Sequence, residues 1–170
     1  YYLKMDMSKY FYRINHEVLI NILDSIINDS KLMDLLSYII NSDEQKFGIE
    51  IINHKVTGRR IRGVGMPIGD LTSQMFANLY LNVLDHYCKH TLRAKKYIRY
   101  MDDVIILDND KHKLRHYQEQ ISNFIETHLK LELNNKTCIS TCKSGIDFCG
   151  YRVFPNYVKL RKKTYTKMMR

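Results

Sequence analysis

The chain has 170 residues, 27 of them Lys or Arg against 18 Asp or Glu, for a formal charge of +9 at pH 7. That length carries one domain with a real core, and a hydrophobic content of 45% with seven glycines and two prolines excludes a disordered chain. No apolar run approaches the roughly 20 residues of a bilayer-spanning helix, no secretory signal opens the chain, and the positive excess points to a polyanion: nucleic acid, nucleotide or an anionic membrane surface.

Residues 2–6 form a short apolar run ending at Asp6 and predict a strand. SKYFYR then turns the chain toward a helix for which Asn15 is the expected N-cap, with Val18, Leu19, Ile22, Leu23, Ile26 and Ile27 on one face. Ser30 is the expected cap of a second helix, striped by Leu32, Leu35, Leu36, Ile39 and Ile40. Residues 43–66, which include the basic, glycine-punctuated HKVTGRRIRGVG, read as an irregular hairpin or loop.

A long helix is expected over residues 71–92, with Leu71, Met75, Leu79, Val83 and Tyr87 spaced four apart along it. YIRYMDDVIIL at 97–107 follows, a β-branched run interrupted by Asp102 and Asp103, which reads as a hairpin with the acidic pair at its turn. A helix over 111–128 carries the stripe Leu114, Tyr117, Ile121, Phe124 and Ile125, and short strands are expected at 131–133, 137–141, 146–153 and 157–161. The four cysteines, Cys88, Cys138, Cys142 and Cys149, form no C-x-x-C pair and are expected to be reduced structural thiols of a cytoplasmic protein.

Strand, crossover helix, hairpin, helix and strand make an α+β chain of the ferredoxin-like, split βαβ kind: an antiparallel sheet with helices on one face and the other face free. In such a sheet the first strand and the hairpin are neighbours, so Asp6 and Asp102 are expected to meet. A hard divalent cation takes oxygen ligands, commonly one or two carboxylates plus substrate phosphates, and two such ions suit nucleotidyl transfer. Tyr10, Phe11 and Tyr12 exceed what one core position needs, so either one ring faces a nucleotide sugar or all three pack inside. Gly63, Gly65 and Gly69 permit a close backbone approach ahead of a helix N-terminus open to phosphate. Arg59, Arg60 and Arg62 lie just upstream, as nucleic acid contacts or as a solvated loop.

YMDD at 100–103, DMSKYF at 6–11, GMPIGDLTSQ at 65–74, LELNNKT at 131–137 and FCGY at 148–151 together resemble the palm motifs of reverse transcriptases, in order and in spacing. The resemblance implies RNA-directed DNA synthesis on template RNA and a DNA primer, from dNTPs, with two Mg²⁺ ions (Mn²⁺ as a substitute). It implies that Asp6 and Asp102 hold the ions with the Met7 carbonyl, and that Asp103 is less direct. Phe11 corresponds to the aromatic gate against a ribose 2′-OH, while Tyr100 and Met101 touch the primer end. Lys136 corresponds to a proton donor for pyrophosphate, or is a solvated loop lysine. Phe148, Gly150 and Tyr151 belong to the primer grip.

Ile68-Gly69 followed by Ser73-Gln74 is the pattern I-G-x-x-x-S-Q, similar to the error-prone enzymes of diversity-generating retroelements, which are bacterial or phage-encoded and work with a small basic accessory protein. Ile68, Gly69 and Gln74 are then expected beside the incoming nucleotide, where Ile68 lacks a hydrogen-bonding contact. Group II intron and retron enzymes share most of the other motifs. By the same resemblance, residues 1–161 are expected to be a palm without the fingers motifs, weak or inactive alone, and 162–170 the start of a connection to a thumb. A palm that only binds RNA has no use for clustered carboxylates, and an RNA-synthesising enzyme favours a smaller polar group at Phe11.

Overall fold

The computed structural model describes residues 1–41, 47–52, 55–69 and 71–169. Asp70 of GMPIGDLTSQ and His54 of HKVTGRRIRGVG lie outside the described residues. The central sheet has four strands in the order β4-β5-β1-β6: β1 (Tyr2–Asp6), β4 (Tyr97–Tyr100), β5 (Asp103–Leu107) and β6 (Cys138–Ser140). All its pairings are antiparallel, and β1 lies between β5 and β6, as a split βαβ arrangement requires.

Alternation along β1 sends Leu3, Met5 and, just beyond the strand, Met7 into the main core with Val104 and Ile106. Helices α1 (His16–Asp24), α3 (Leu71–His86) and α4 (Lys111–Leu129) cover that face through Leu19, Leu23, Phe76, Tyr80, Leu114 and Ile121. The other face carries Tyr2, Lys4 and Asp6, and it is not wholly free. A second sheet, β7 (Ile146–Phe148), β8 (Tyr151–Val153) and β9 (Val158–Leu160), packs Ile146 and Phe148 against Tyr2 and Ile105. The Asp6 end stays open.

Asn15 caps α1 as expected, its side chain accepting the Val18 N–H at 3.0 Å. That helix ends at Asp24, which leaves Ile26 outside its stripe and exposed. Helix α2 (Ser30–Asn41) is capped by Asp29 rather than Ser30, because the Asp29 carboxylate takes the Leu32 N–H at 3.1 Å. It buries Met33 and Ile40, whereas Leu32 and Leu35 are exposed. Residues 43–66 contain a hairpin, β2 (Gly48–Ile52) with β3 (Lys55–Ile61), whose register shifts between Ile49 and Ile51.

Of the stripe expected on the long helix, Leu79, Val83 and Tyr87 are partly buried against the core, whereas its first two members are not. α3 buries Ser73, Phe76, Ala77, Tyr80, Leu81 and Leu84, while Leu71 is 85% and Met75 50% exposed. Its sequence is apolar on more than one side, so spacing alone does not choose the packed face. After His86 the backbone widens into a π-helical turn, Tyr87–Thr91. On α4, Leu114, Tyr117, Ile121 and Ile125 are buried as expected, and Leu129 joins them. Residues 131–133 supply a single bridge, Met7 to Leu133, instead of a strand. Residues 146–153 break into β7 and β8 at a turn where Cys149 and Gly150 both have positive φ. Of the cysteines, Cys88 is a buried thiol pushed by burial up to about 12, whereas Cys138 and Cys149 are exposed.

Tyr80 ties the helical layer together. Its hydroxyl donates to the Leu129 carbonyl at 2.6 Å, at the end of α4, and accepts the Asn15 N–H at 3.3 Å, at the start of α1. Tyr80→Phe removes both bonds and strands a buried carbonyl, an expected loss of about 1–3 kcal/mol by chemical denaturation. An unchanged denaturation midpoint would mean that the hydroxyl does not couple these helices.

Candidate active site

Asp6 is the last residue of β1 and stands directly across from Asp103, the first residue of β5. Directly opposed like charges destabilise an antiparallel pair, so this position calls for a cation. Asp102 sits in the two-residue turn between β4 and β5, beside Met101, whose φ of 54° is left-handed. Burial is the main cause that raises the carboxyls of both Asp6 and Asp102 above the ordinary range. For Asp6 the charges of Asp102 and Asp103 add to that rise, and for Asp102 the charge of Asp103 does.

Lys4, two residues before Asp6 on the same face, supplies one positive charge. Its Nζ lies 3.2 Å from Asp103 Oδ1 and donates to the Asp147 carbonyl on β7 at 2.7 Å. Asp103 is therefore held by a lysine, and Asp6 and Asp102 are the carboxylates left for another cation. Asn134 steadies Asp6: its backbone N–H donates to the Asp6 carbonyl at 2.7 Å and its side-chain amide to Asp6 Oδ2 at 3.2 Å. The Met7–Leu133 bridge uses the bonds from Ser8 N–H to Glu132 O and from Asn134 N–H to Asp6 O, so the Met7 carbonyl takes no part in it. The Met7 side chain is core.

These groups open onto a cleft of about 850 Å³ whose lining includes Lys4, Asp6, Asp102, Asp103, Lys136 and Arg161. Lys136 is exposed there, and its charge pulls the Asp6 carboxyl down against the other influences. Among the described residues no three His, Cys, Asp or Glu side chains gather closely enough to form a metal cage. The donor set still fits Mg²⁺, which keeps water and substrate phosphates in its shell and asks the protein for one or two carboxylates. Asp6 and Asp102 provide these, as hard oxygen donors whose mutual repulsion a cation relieves.

The remaining expected residues are not among the described lining of this cleft. Tyr100 is 61% exposed, its ring edge-on to Phe148 at 6.4 Å between centroids. Gly150 and Tyr151 continue from Phe148 into β8. Phe11 is half-buried, edge-on to the buried Tyr10, whose hydroxyl donates to the Ala77 carbonyl; of the three aromatics, Tyr10 is thus core. The glycine loop docks on the segment after Phe11: Met66 N–H donates to Phe11 O at 2.7 Å and Gly65 N–H to Ile14 O at 2.8 Å. Gly65 approaches its own chain rather than a ligand, since a Cβ there would lie 2.7 Å from the Gly48 nitrogen. Ile68, 65% exposed, Gly69 and the exposed Gln74 follow, outside the described lining of the carboxylate cleft.

Arg59, Arg60 and Arg62 are exposed on and after β3. Two of them have partners: Arg59 lies 3.7 Å from a Glu50 carboxylate oxygen, and Arg60 donates to the Phe47 carbonyl at 2.8 Å while sitting over the Tyr12 ring. Sequence reading missed Lys4, Asn134 and Arg161. Alternation along β1 was enough to place Lys4 on the face of Asp6, whereas Asn134 and Arg161 arrive through the tertiary fold.

Comparison with known proteins matches residues 1–153 to the family described as reverse transcriptase (RNA-dependent DNA polymerase). The putative COX1/OXI3 intron 2 protein of Saccharomyces cerevisiae is 24% identical over 90% of this chain and 24% of its own length. Protein YkfC of Escherichia coli is 26% identical over 87% of this chain and 45% of its own. This chain thus spans less than half of either relative. Among solved structures, telomerase from Candida tropicalis with a fragment of telomeric RNA superposes with a TM-score of 0.67 at 15% identity, over 96% of this chain and 29% of that one. Telomerase from Candida albicans gives 0.62 at 17% identity, over 94% and 31%. At those identities the likeness is one of fold.

Proposed function

The chain belongs to the reverse transcriptase family, and from that premise we propose that it is the palm of an RNA-directed DNA polymerase, adding dNTPs to a primer 3′-OH on template RNA. The observation that carries this reading is the cross-strand pair Asp6–Asp103 with Asp102 in the adjoining turn, all facing one open cleft. Residues 1–161 make up this palm. No helix among the described residues is long and apolar enough to cross a membrane.

Asp6 and Asp102, with the Met7 carbonyl, would hold two Mg²⁺ ions, whose chemistry is to neutralise charge on the attacking and leaving oxygens. The residues of the chain do the rest. Lys4 keeps Asp103 occupied, so the remaining pair receives the cations. Lys136, at the cleft wall, gives a proton to the departing pyrophosphate. Phe11 is the gate that rejects a ribose 2′-OH, and Tyr100, Met101, Phe148, Gly150 and Tyr151 contact the primer. Arg62, with Arg59 and Arg60 after release from their present partners, contacts the nucleic acid backbone.

The natural full-length protein, given an RNA template, a DNA primer, dNTPs and Mg²⁺, is expected to extend the primer and to reject rNTPs. Extension with rNTPs at equal efficiency, or none with dNTPs, would overturn the reading. Ile68-Gly69 and Ser73-Gln74 support a finer assignment to the diversity-generating enzymes and their small basic accessory protein. Ile68→Gln is then expected to lower adenine misincorporation about fivefold or more, as restoring one polar contact would. An unchanged error spectrum in sequenced products would sink it. The similarity to the intron 2 protein favours a second reading, an intron-encoded reverse transcriptase, and for that enzyme the same sequencing should give faithful copies at adenines.

A further inference from the structure

Behind the acidic turn lies a group of side chains that the proposed chemistry does not use. Arg99 is on the helix-facing side of β4, and each of its three side-chain nitrogens is engaged. Nε donates to Asp85 Oδ1 at 2.8 Å and Nη2 to Asp85 Oδ2 at 2.6 Å, a two-pronged pair with a carboxylate on α3. Nη1 donates to the Met101 carbonyl at 2.9 Å and to Asn78 Oδ1 at 3.3 Å. Asp85 is fixed in turn by the Tyr97 hydroxyl at 2.6 Å. The Arg99 side chain is 11% exposed, so water competes little for these bonds.

The turn needs such a hold. Met101 has a φ of 54°, in the region where a side-chain-bearing residue is strained and where tight hairpins ordinarily place Asn, Asp or Gly. The carbonyl that Arg99 grips belongs to the peptide joining Met101 to Asp102. A charged donor at that oxygen fixes the peptide plane, and the plane sets where the Asp102 Cα and its carboxylate start.

We propose that Arg99 is a positioning residue for Asp102. Anchored by Asp85 to α3, it clamps the Met101 carbonyl and holds the turn in the conformation that aims the Asp102 carboxylate at Asp6. The proposal rests on the polymerase reading for its kinetic consequence, and not for its structural one. Arginine is required because lysine, with one nitrogen, cannot grip Asp85 with two prongs and reach the turn carbonyl as well.

The test uses the natural full-length protein and Arg99→Lys, which retains the charge opposite Asp85, with Asp85→Asn as the second variant, remote from the turn. In metal-free protein, amide hydrogen exchange at residues 101 and 102 is expected to quicken about tenfold or more in Arg99→Lys, as local opening requires. Exchange along the β1–β5 ladder should stay at the parent rate. In primer extension kcat is expected to fall roughly 10–100-fold, the scale of a small misplacement, with KM for dNTP within about twofold. Asp85→Asn should lower kcat in the same direction.

A folded Arg99→Lys protein with parental exchange at the turn, or with parental kcat, overturns the proposal. So does a variant that no longer folds while Asp85→Asn keeps full activity, since Arg99 then serves the fold alone. A parent that extends no primer defeats the polymerase reading instead, and the exchange comparison still decides the clamp.

Discussion

Replacing Asp102 with asparagine is expected to lower primer extension by about three orders of magnitude or more while leaving the metal-free protein at least as stable as the parent. In the proposed chemistry the loss follows from removing one of two carboxylates that would support several kcal/mol of charge stabilisation at the reacting phosphate. The stability follows from the repulsion that carboxylate brings. Asp6 and Asp102 both titrate above the ordinary range, so their protons are bound more readily folded than unfolded. The stability this represents is present below the ordinary carboxylate pKa of 3.8 and is lost as pH rises through the folded values.

The parent is therefore expected to lose stability from this pair on going from acid toward neutral pH, and the D102N protein to lose less. The gain at neutral pH should fall at the low end of about 0.5–2 kcal/mol, because both groups are only half-buried and solvent screens them. Thermal melts in chelator at pH 4.5 and pH 7 measure it. A D102N protein markedly less stable than the parent at pH 7 would mean that the acidic turn is structural.

Leu3→Ala is expected to have the opposite profile, with stability lost first and activity following. Leu3, the second residue of β1, is fully buried, across from Ile106 on β5 and Ile139 on β6. Truncating such a side chain costs about 2–5 kcal/mol, because the cavity collapses incompletely. For a domain whose whole stability is about 5–15 kcal/mol, that loss lowers the melting midpoint by roughly 5–15 °C. Lys4 and Asp6 stand on the other face of the same strand, so activity should survive at low temperature and fall with the fold. A midpoint within about 2 °C of the parent would contradict the placement of Leu3 at the core's centre.

What could be read in the sequence depended on how many alternatives each pattern left open. Asn15 ahead of an amphipathic run fixed the start of α1, and the α4 stripe had one apolar side to choose. The Asp6 strand and the acidic hairpin were legible because alternation in a short strand allows two faces, and one of them is charged. On α3 the apolar residues surround much of the helix, so the packed face was decided by Phe76, Tyr80 and Leu84 meeting the sheet rather than by spacing. On α2 the rotated face has the same origin, whereas the cap moved one residue because Asp29 beside Ser30 is a capping side chain too.

In the site, the carboxylates were visible as motifs, whereas their supports were not. Lys4 looks like any charged strand residue until Asp103 is paired across from Asp6. Asp85 and Arg99 are fourteen residues apart and meet only because α3 runs behind β4. The aromatic run was ambiguous for a related reason, since a ring's role depends on what lies opposite it. Tyr10 found the Ala77 carbonyl inside the core, while Phe11 stayed half-open beside the glycine loop.

In the proposed function Asp6 and Asp102 act as a pair to run nucleotidyl transfer on an RNA template. Single-turnover primer extension by the natural full-length protein, set against Asp6→Asn, Asp102→Asn and the double variant, tests it most directly. Losses of about a thousandfold or more are expected in each single variant, with little further loss in the double, as for groups that work as a unit. Extension by either folded single variant at near the parental rate would contradict it.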